Sequence, residues 1–205
     1  MIDRFALALV KPFADRIAGR FSRFGVSADQ ATLTGFAFGM LAAVLIGFGH
    51  TWAAILPLLV NRALDGLDGA LARLSRTTDR GAFLDIALDF IFYAAIPLAF
   101  VVRDPAMNGL AGALLLAAFL GTGTSFLAFA VIAEKRGLKS LDYPSKSFYY
   151  LGGLTEGAET IACFLAMCVW PQHFAAIASV FAVLCLVTTV TRLVAGWQSF
   201  GGNDS

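Results

Sequence analysis

Four aspartates in two short stretches are the residues best suited to carry chemistry. Asp65 and Asp68 lie three residues apart, and Asp85 and Asp89 lie four apart. On a helix, both spacings place the paired side chains on one face. Carboxylates gathered in a low dielectric need protonation or bound cations. Because residues 65–89 contain no His or Cys, oxygen ligands favour Mg2+ or Mn2+ over zinc. The pattern predicts two such ions, which would bind phosphate oxygens during phosphoryl transfer.

The residues between the acids suit a phosphate-bearing ligand. Gly69 and Ala72 are small enough to let a bulky ligand approach the backbone, and Arg73 can neutralise a diphosphate. A short basic turn joins the two acidic stretches, which predicts antiparallel neighbouring helices with all four carboxylates at a similar depth. Asp89 then lies deepest in its helix, and a desolvated position raises the basicity of a carboxylate.

The composition indicates an integral membrane protein. Of 205 residues, 59% are hydrophobic and only 14% are charged, and the mean hydropathy is +0.77. Typical soluble domains are about 25% charged, so an ordinary soluble domain is excluded. The net charge of +1 provides no global field for nucleic acid. Three cysteines, all within apolar runs, are expected to act as small hydrophobic residues.

The apolar stretches predict an all-α membrane fold with six transmembrane helices. A spanning helix needs about 20 mostly apolar residues. The six candidates are approximately Ala31–Phe48, Thr51–Leu74, Ala82–Val102, Leu110–Ala133, Phe148–Val169 and Phe174–Trp197. They form one membrane domain over residues 26–200, followed by a flexible tail, 201–205.

Residues 1–25 are expected to form an interfacial amphipathic helix. Apolar residues recur at spacings of three and four along this segment, and basic residues lie off that stripe. Such a helix lies in the membrane interface with its basic side chains toward anionic headgroups. The alternative is a soluble helix packed on a partner.

The distribution of Lys and Arg predicts the orientation. With the N-terminus in the cytoplasm, almost all basic connections face the cytoplasm, and only Arg103 lies in a connection on the opposite side. Cytoplasmic connections normally carry the excess of Lys and Arg. The chain is therefore expected in the inner (plasma) membrane, multi-pass, with both termini cytoplasmic.

The acidic pattern resembles the signature of the CDP-alcohol phosphotransferase (class I CDP-alcohol phosphatidyltransferase) family. That signature is Asp-x-x-Asp-Gly-x-x-Ala-Arg, a spacer, and then Gly-x-x-x-Asp-x-x-x-Asp. All of its fixed positions match in this chain, and they are Asp65, Asp68, Gly69, Ala72, Arg73, Gly81, Asp85 and Asp89. The six-helix layout and the total length are also similar to bacterial inner-membrane members of that family.

The resemblance implies a reaction and assigns roles. An alcohol acceptor attacks a CDP-linked donor, commonly CDP-diacylglycerol, and CMP leaves. The first three acids would bind a pair of divalent ions, Mg2+ or Mn2+. Asp89 would be the general base and would also contact a metal. Asp68, with Gly69, Ala72, Arg73 and Gly81, would hold the CDP group. The resemblance to the family also implies that this chain forms a homodimer.

Four basic residues outside the signature are candidates for binding a phosphate. Arg62 lies three residues before Asp65, so it either pairs with that acid or reaches a substrate phosphate. Lys135 and Lys146 belong to a basic connection that either orients the chain or holds an anionic acceptor. Arg192 either snorkels to the interface or points into the active cavity.

Two further acids lie in the predicted fifth helix. Glu156 and Glu159 are three residues apart, and an acid at membrane depth is a functional candidate by default. They would either select the acceptor alcohol or form a structural network with Lys146 or Arg192. No residue type decides between a sugar-phosphate and an amine alcohol as the acceptor.

Two other functions are compatible with acidic membrane helices. An aspartate-rich intramembrane prenyltransferase also binds Mg2+-diphosphate, but its motif lacks the Asp-Gly-x-x-Ala-Arg core. A non-enzymatic cation transporter would need an open path through the bundle.

Two pairs of glycines have the spacing of close helix contacts, within one chain or between two. They are Gly35 with Gly39 and Gly153 with Gly157.

Overall fold

The computed structural model describes residues 15–75, 77–137 and 154–201, and this part of the chain is helical with no strand. Helix α1 is described over 15–23. The remaining helices are α2 (Ala28–Gly47), α3 (Thr51–Leu74), α4 (Asp79–Arg103), α5 (Pro105–Lys135), α6 (Gly157–Val169) and α7 (Phe174–Phe200), with one 3-10 turn at Pro171–His173. The all-α fold class is confirmed.

Four of these helices are long and apolar enough to cross a membrane, namely α2, α4, α5 and α7 with its preceding turn. Helix α3 has 24 residues, but charged side chains interrupt it. Helix α6 has 13 described residues. The chain is therefore a multi-span helical membrane protein, whereas six as the number of spans stays a prediction.

Local sequence fixes where several helices begin. Ser27 accepts a hydrogen bond from the Gln30 amide at 3.2 Å, and the Gln30 side chain accepts one from the Ser27 amide at 3.0 Å. This reciprocal pair is a capping box. Thr78 caps α4 by accepting from the Gly81 amide at 3.1 Å, and Asp104 caps α5 by accepting from Met107 at 3.1 Å. Each cap satisfies a backbone donor that the helix leaves unpaired.

The predicted position of Glu156 inside a membrane helix is wrong. Helix α6 begins at Gly157, and Glu156 is its N-cap residue. The Glu156 amide donates to the Glu159 carboxylate at 3.3 Å, as in a capping box. The two acids therefore lie at a helix start, where negative charge is favourable. Residues 148–153 of the predicted fifth span lie outside the described residues.

Helix α2 packs against both α3 and α4, whereas α3 and α4 have little direct backbone contact. The close approach of α2 depends on two glycines. A Cβ at Gly35 would lie 3.2 Å from Leu64 Cβ, and one at Gly39 would lie 2.6 Å from Phe92 Cδ2. This pair of small residues thus serves a contact within the chain. Because α2 fills the space behind them, α3 and α4 face each other across a gap.

Aromatic side chains fill the interior beneath this gap. Phe92 of α4 meets Phe164 of α6 edge to face, with ring centroids 6.0 Å apart. Phe119 of α5 contacts Phe164 and Phe181, each at 6.2 Å. Such pairs stabilise a core beyond the area that they bury. The rings therefore join four helices into one packed layer.

The described part of α1 docks on the end of α3. Ala18 is fully buried against a small apolar cluster that includes Ala70 and Leu71. Phe24 is 87% exposed, and Arg16, Arg20 and Arg23 are exposed as well. Residues 1–14 and the tail 202–205 lie outside the described residues, so the interfacial role of residues 1–25 stays a prediction.

The packing of α2 leads to a prediction about Gly39. The substitution Gly39→Ala places a methyl group against Phe92 and the Asn61 amide, so it should destabilise the fold by about 1–3 kcal/mol. In the same helix, a Cβ at Gly47 meets nothing within 4 Å, and Gly47→Ala is the matched control. Thermal unfolding in detergent measures both variants. Equal melting temperatures for the two would contradict the close contact.

Candidate active site

Three helices each contribute one face to a single cavity. Helix α3 supplies Asp65 and Asp68, α4 supplies Asp85 and Asp89, and α2 supplies Thr32 with its neighbours Gly35 and Phe36. The spacings of three and four within each helix explain why these side chains converge. The cavity is partly open, and the space in it that a water molecule can enter is about 10 Å³, close to what one water molecule needs. The acids therefore leave little free room between them, and a nucleotide would bind at the open side.

Three of the four acids are close enough to share a cation. One carboxylate oxygen from each of Asp65, Asp85 and Asp89 lies within 4.8 Å of the others. An all-oxygen donor set of this kind suits a hard divalent ion. The acids thus fit the predicted Mg2+ or Mn2+, and they would hold the ion between α3 and α4.

The fourth acid is held from α2. Asp68 is 6% exposed, and its carboxylate accepts a hydrogen bond from Thr32 Oγ1 at 2.5 Å. Thr32 Oγ1 also lies 3.0 Å from the Ala28 carbonyl of its own helix. Hydrogen bonds to charged groups are stronger than neutral ones. Thr32 therefore orients Asp68 toward the cavity.

Arg62 connects the acidic face of α3 to α4. Its guanidinium forms an ion pair with Asp65, and Nη1 donates to the Tyr93 hydroxyl at 3.2 Å. Of the two roles open for Arg62, the structure shows the pairing with Asp65. This cation offsets part of the negative charge on the cavity wall, and it fixes Asp65 relative to α4.

Asn61 also lines the cavity, one helical turn before Asp65. Its Nδ2 donates to the Gly35 carbonyl at 3.0 Å, and the residue is 5% exposed. Among the described residues, its Oδ1 has no hydrogen-bond partner. An unpaired buried acceptor is destabilising by about 1–3 kcal/mol.

Polar residues surround the turn between α3 and α4. Arg80 pairs with Asp29 of α2 at 2.5 Å, and Arg73 pairs with Asp15 of α1 at 3.0 Å. A Cβ at Gly81 would lie 3.1 Å from Asp29 Oδ1, so only glycine fits there without a shift. The two ion pairs therefore join α4 to α2 and α3 to α1 beside this turn.

The other candidates lie away from the acids. Arg192 is 7% exposed and donates to the Thr122 carbonyl at 3.1 Å, with its guanidinium 5.4 Å from the Phe126 ring centre. It does not snorkel to the interface, and it is not among the described residues that line the acidic cavity. Lys135 is exposed at the end of α5, and Lys146 lies outside the described residues. Their phosphate-binding roles stay predictions.

A family model for CDP-alcohol phosphatidyltransferase matches residues 25–191, which is most of the chain and includes all four acids. The chain belongs to the CDP-alcohol phosphatidyltransferase family. It is therefore a membrane phosphotransferase, and this class acts in phospholipid biosynthesis. The family uses divalent metal ions, in agreement with the oxygen-lined cavity.

Relatives of this CDP-alcohol phosphatidyltransferase align over nearly its full length. Inner membrane protein YnjF of Escherichia coli is 49% identical over 197 residues, which is 96% of each chain. An archaetidylinositol phosphate synthase of Methanothermobacter thermautotrophicus is 30% identical over 206 residues, covering 97% of this chain and 95% of the relative.

Solved structures have the same fold. Phosphatidylinositol phosphate synthase PgsA1 of Mycobacterium tuberculosis with CDP-DAG bound superposes with a TM-score of 0.71 at 24% identity, covering 90% of this chain and 93% of PgsA1. The same enzyme in complex with manganese and citrate gives a TM-score of 0.70, with 90% and 88% covered.

Sequence reasoning missed two contacts of the CDP-alcohol phosphatidyltransferase site. Thr32 and Tyr93 both contact charged groups of the acidic face, and neither belongs to the signature. Thr32 lies three residues before Gly35, on the same face of α2. That spacing was the available signal, because the glycines mark the face that approaches α3.

The contact between Thr32 and Asp68 leads to a prediction. Thr32→Val keeps the shape of the side chain but removes the hydrogen bond, so kcat/KM for CMP release should fall about tenfold. Thr32→Ser should retain most activity. Thr34→Val is the matched control, because Thr34 Oγ1 donates only to the Gln30 carbonyl of its own helix. A Thr32→Val enzyme as active as Thr34→Val would show that the contact does not orient Asp68.

Proposed function

We propose that the chain transfers a phosphatidyl group from CDP-diacylglycerol to an alcohol, with release of CMP. The observation that carries this proposal is the convergence of all four signature acids on one cavity, with three carboxylates within 4.8 Å. A related fold binds CDP-DAG, as in PgsA1. Four helices long and apolar enough to cross a membrane suit a lipid-linked donor.

Two divalent ions, Mg2+ or Mn2+, complete the proposed site. Asp65, Asp68 and Asp85 hold them, and Asp89 also contacts one. When bound, such ions stabilise the charge that develops on the transferred phosphate. The manganese complex of PgsA1 supports this assignment, as does the absence of nitrogen or sulfur ligands among the described cavity residues.

The donor headgroup lies at the open side of the cavity in this proposal. Gly69 and Ala72 leave room along α3, and Arg73 neutralises the diphosphate. Arg73 Nη1 lies near Gly69, 3.6 Å from where a Cβ would stand, so the cation is beside the space that the small residue leaves. Asp68 and Gly81 complete the CDP-binding set.

Asp89 is the proposed general base. Its carboxylate takes the proton from the acceptor hydroxyl as the alcohol oxygen bonds to the phosphorus that carries diacylglycerol. The bond from that phosphorus to the oxygen of CMP breaks, and CMP leaves with the electron pair. Asp89 lies one turn further along α4 than Asp85 and adjoins the aromatic layer at Phe92, so it is the acid of α4 nearer the apolar interior.

We further propose six spans, cytoplasmic termini and a homodimer in the bacterial inner membrane. The relative named as an inner membrane protein supports the location, and the distribution of Lys and Arg supports the orientation. Gly35 and Gly39 are used inside the chain, so the proposed dimer must form through other surfaces.

The acceptor is an alcohol that an assay must identify. The names of two relatives include inositol phosphate, so this compound belongs in the panel beside glycerol phosphate and amine alcohols. Glu156 and Glu159 remain candidates for selecting the acceptor. Transfer of lipid to a radiolabelled acceptor, measured together with CMP release, identifies the product. The same assay separates a phosphotransferase from a prenyltransferase or a cation transporter.

Replacing single acids of α4 tests the proposed chemistry. Asp85→Asn and Asp89→Asn should each reduce CMP release by more than about a thousandfold, because one removes a metal ligand and the other the base. Asp104→Asn is the control, since asparagine also caps a helix. Melting temperatures show that the variants fold. Full turnover by either variant would remove that residue from the reaction.

Metal removal is a second test. EDTA should stop CMP release, and added Mg2+ or Mn2+ should restore it, while Ca2+ should restore much less because its coordination is longer and looser. Titration of the restoring ion measures how many ions are needed. Turnover that persists in excess EDTA would contradict a metal-dependent site.

A further inference from the structure

The side chain of Asn61 is held in one orientation. An amide has two donors on nitrogen and an acceptor oxygen. The Gly35 carbonyl can only accept, so the atom 3.0 Å from it must be Nδ2. Asn61 lines the cavity together with the four acids. The oxygen Oδ1 is therefore the amide atom that is available to a ligand in that cavity.

The oxygen needs a donor that the described protein does not supply. The residue is 5% exposed, and Oδ1 has no hydrogen-bond partner among the described residues. Asn61 lies one turn before Asp65, on the side of the acids that adjoins Phe92 and Gly39. Buried polar groups are nearly always hydrogen-bonded, so an unpaired acceptor beside an apolar floor points to a ligand in the cavity.

The space beside Asn61 suits a small hydrogen-bond donor. The part of this partly open cavity that a water molecule can enter is about 10 Å³, close to what one water molecule needs. Magnesium and manganese ions keep several waters when protein carboxylates bind them. A water on the ion is an O–H donor whose acidity the cation raises, and such a donor matches the unpaired oxygen of Asn61.

We infer that Asn61 is a further residue of the divalent-ion site, with Oδ1 accepting a hydrogen bond from a water bound to the ion. This inference rests on the proposed metal-dependent function. A neutral amide suits the position because it adds an acceptor without adding a fifth negative charge. The carbonyl of Gly35 acts as its support, since it fixes the direction in which Oδ1 points.

Manganese affinity of the full-length protein in detergent, without substrate, tests the inference. Asn61→Leu keeps the approximate shape of the side chain and removes the acceptor, so the Kd for Mn2+ measured by electron paramagnetic resonance should rise about tenfold. Asn61→Asp keeps an oxygen at this position and adds a negative charge beside the ion, so it should bind Mn2+ more tightly than the unchanged protein.

Asn108 provides the matched control. It is also a buried asparagine, and its Nδ2 donates to the Phe100 carbonyl at 2.8 Å, but it lies at the start of α5 away from the acids. Asn108→Leu should lower the melting temperature and leave Mn2+ affinity unchanged. This variant shows what the loss of a purely structural amide does.

The outcomes separate the possible roles of Asn61. A weaker Mn2+ affinity in Asn61→Leu, with Asn108→Leu unchanged, supports the inference. An unchanged Mn2+ affinity overturns it, whether the melting temperature falls alone or the KM for the acceptor alcohol rises. If Asn61→Leu does not fold, Asn61→Asp decides: tighter Mn2+ binding supports the inference and unchanged binding overturns it. CMP release by the unchanged protein reports separately on the proposed function.

Discussion

The main constraint on the helix arrangement is the mutual repulsion of carboxylates that lie close together inside a bundle of low dielectric constant. Asp65, Asp85 and Asp89 bring oxygens within 4.8 Å of one another, and like charges at this distance oppose each other strongly where water is scarce. The fold tolerates them because α3 and α4 are separated by a gap and not packed together. That gap exists because α2, with glycine at two of its contact positions, supports both helices from behind.

The acids differ in the partners that surround them. Asp68 accepts a hydrogen bond from a hydroxyl of α2, whereas Asp65 forms an ion pair with a guanidinium of its own helix. Both contacts reach acids on the α3 wall of the cavity. A cation bound between α3 and α4 would meet the three carboxylates that converge, while Asp68 stays oriented by Thr32. The protein's own side chains thus compensate part of the negative charge, and bound cations would compensate more.

Much of this arrangement could be predicted from local spacing. The pairs of acids at spacings of three and four predicted shared helix faces, and the predicted bounds of the second helix, Thr51–Leu74, match α3. The start of α6 was missed because an apolar run does not show where a helix begins. Glu159 stands where a capping box has its acid, but the N-cap residue is a glutamate and not one of the preferred Ser, Thr, Asp or Asn, so the sequence carried only half of the signal. Thr32 was not assigned, because α2 is apolar on nearly all sides and only the spacing of Thr32 from Gly35 indicates which of its faces meets α3.

The aromatic layer explains why such a polar cluster belongs to a transferase and not to a transport path. Phe92 follows Asp89 by three residues and lines the same cavity, and its ring packs on Phe164 of α6. Phe119 and Phe181 extend this packing to α5 and α7. An ion that moved through the described part of the bundle would have to displace these rings and lose its oxygen ligands. The four acids thus lie on one side of the packed rings, and the aromatic contacts among four helices close the described bundle next to Phe92.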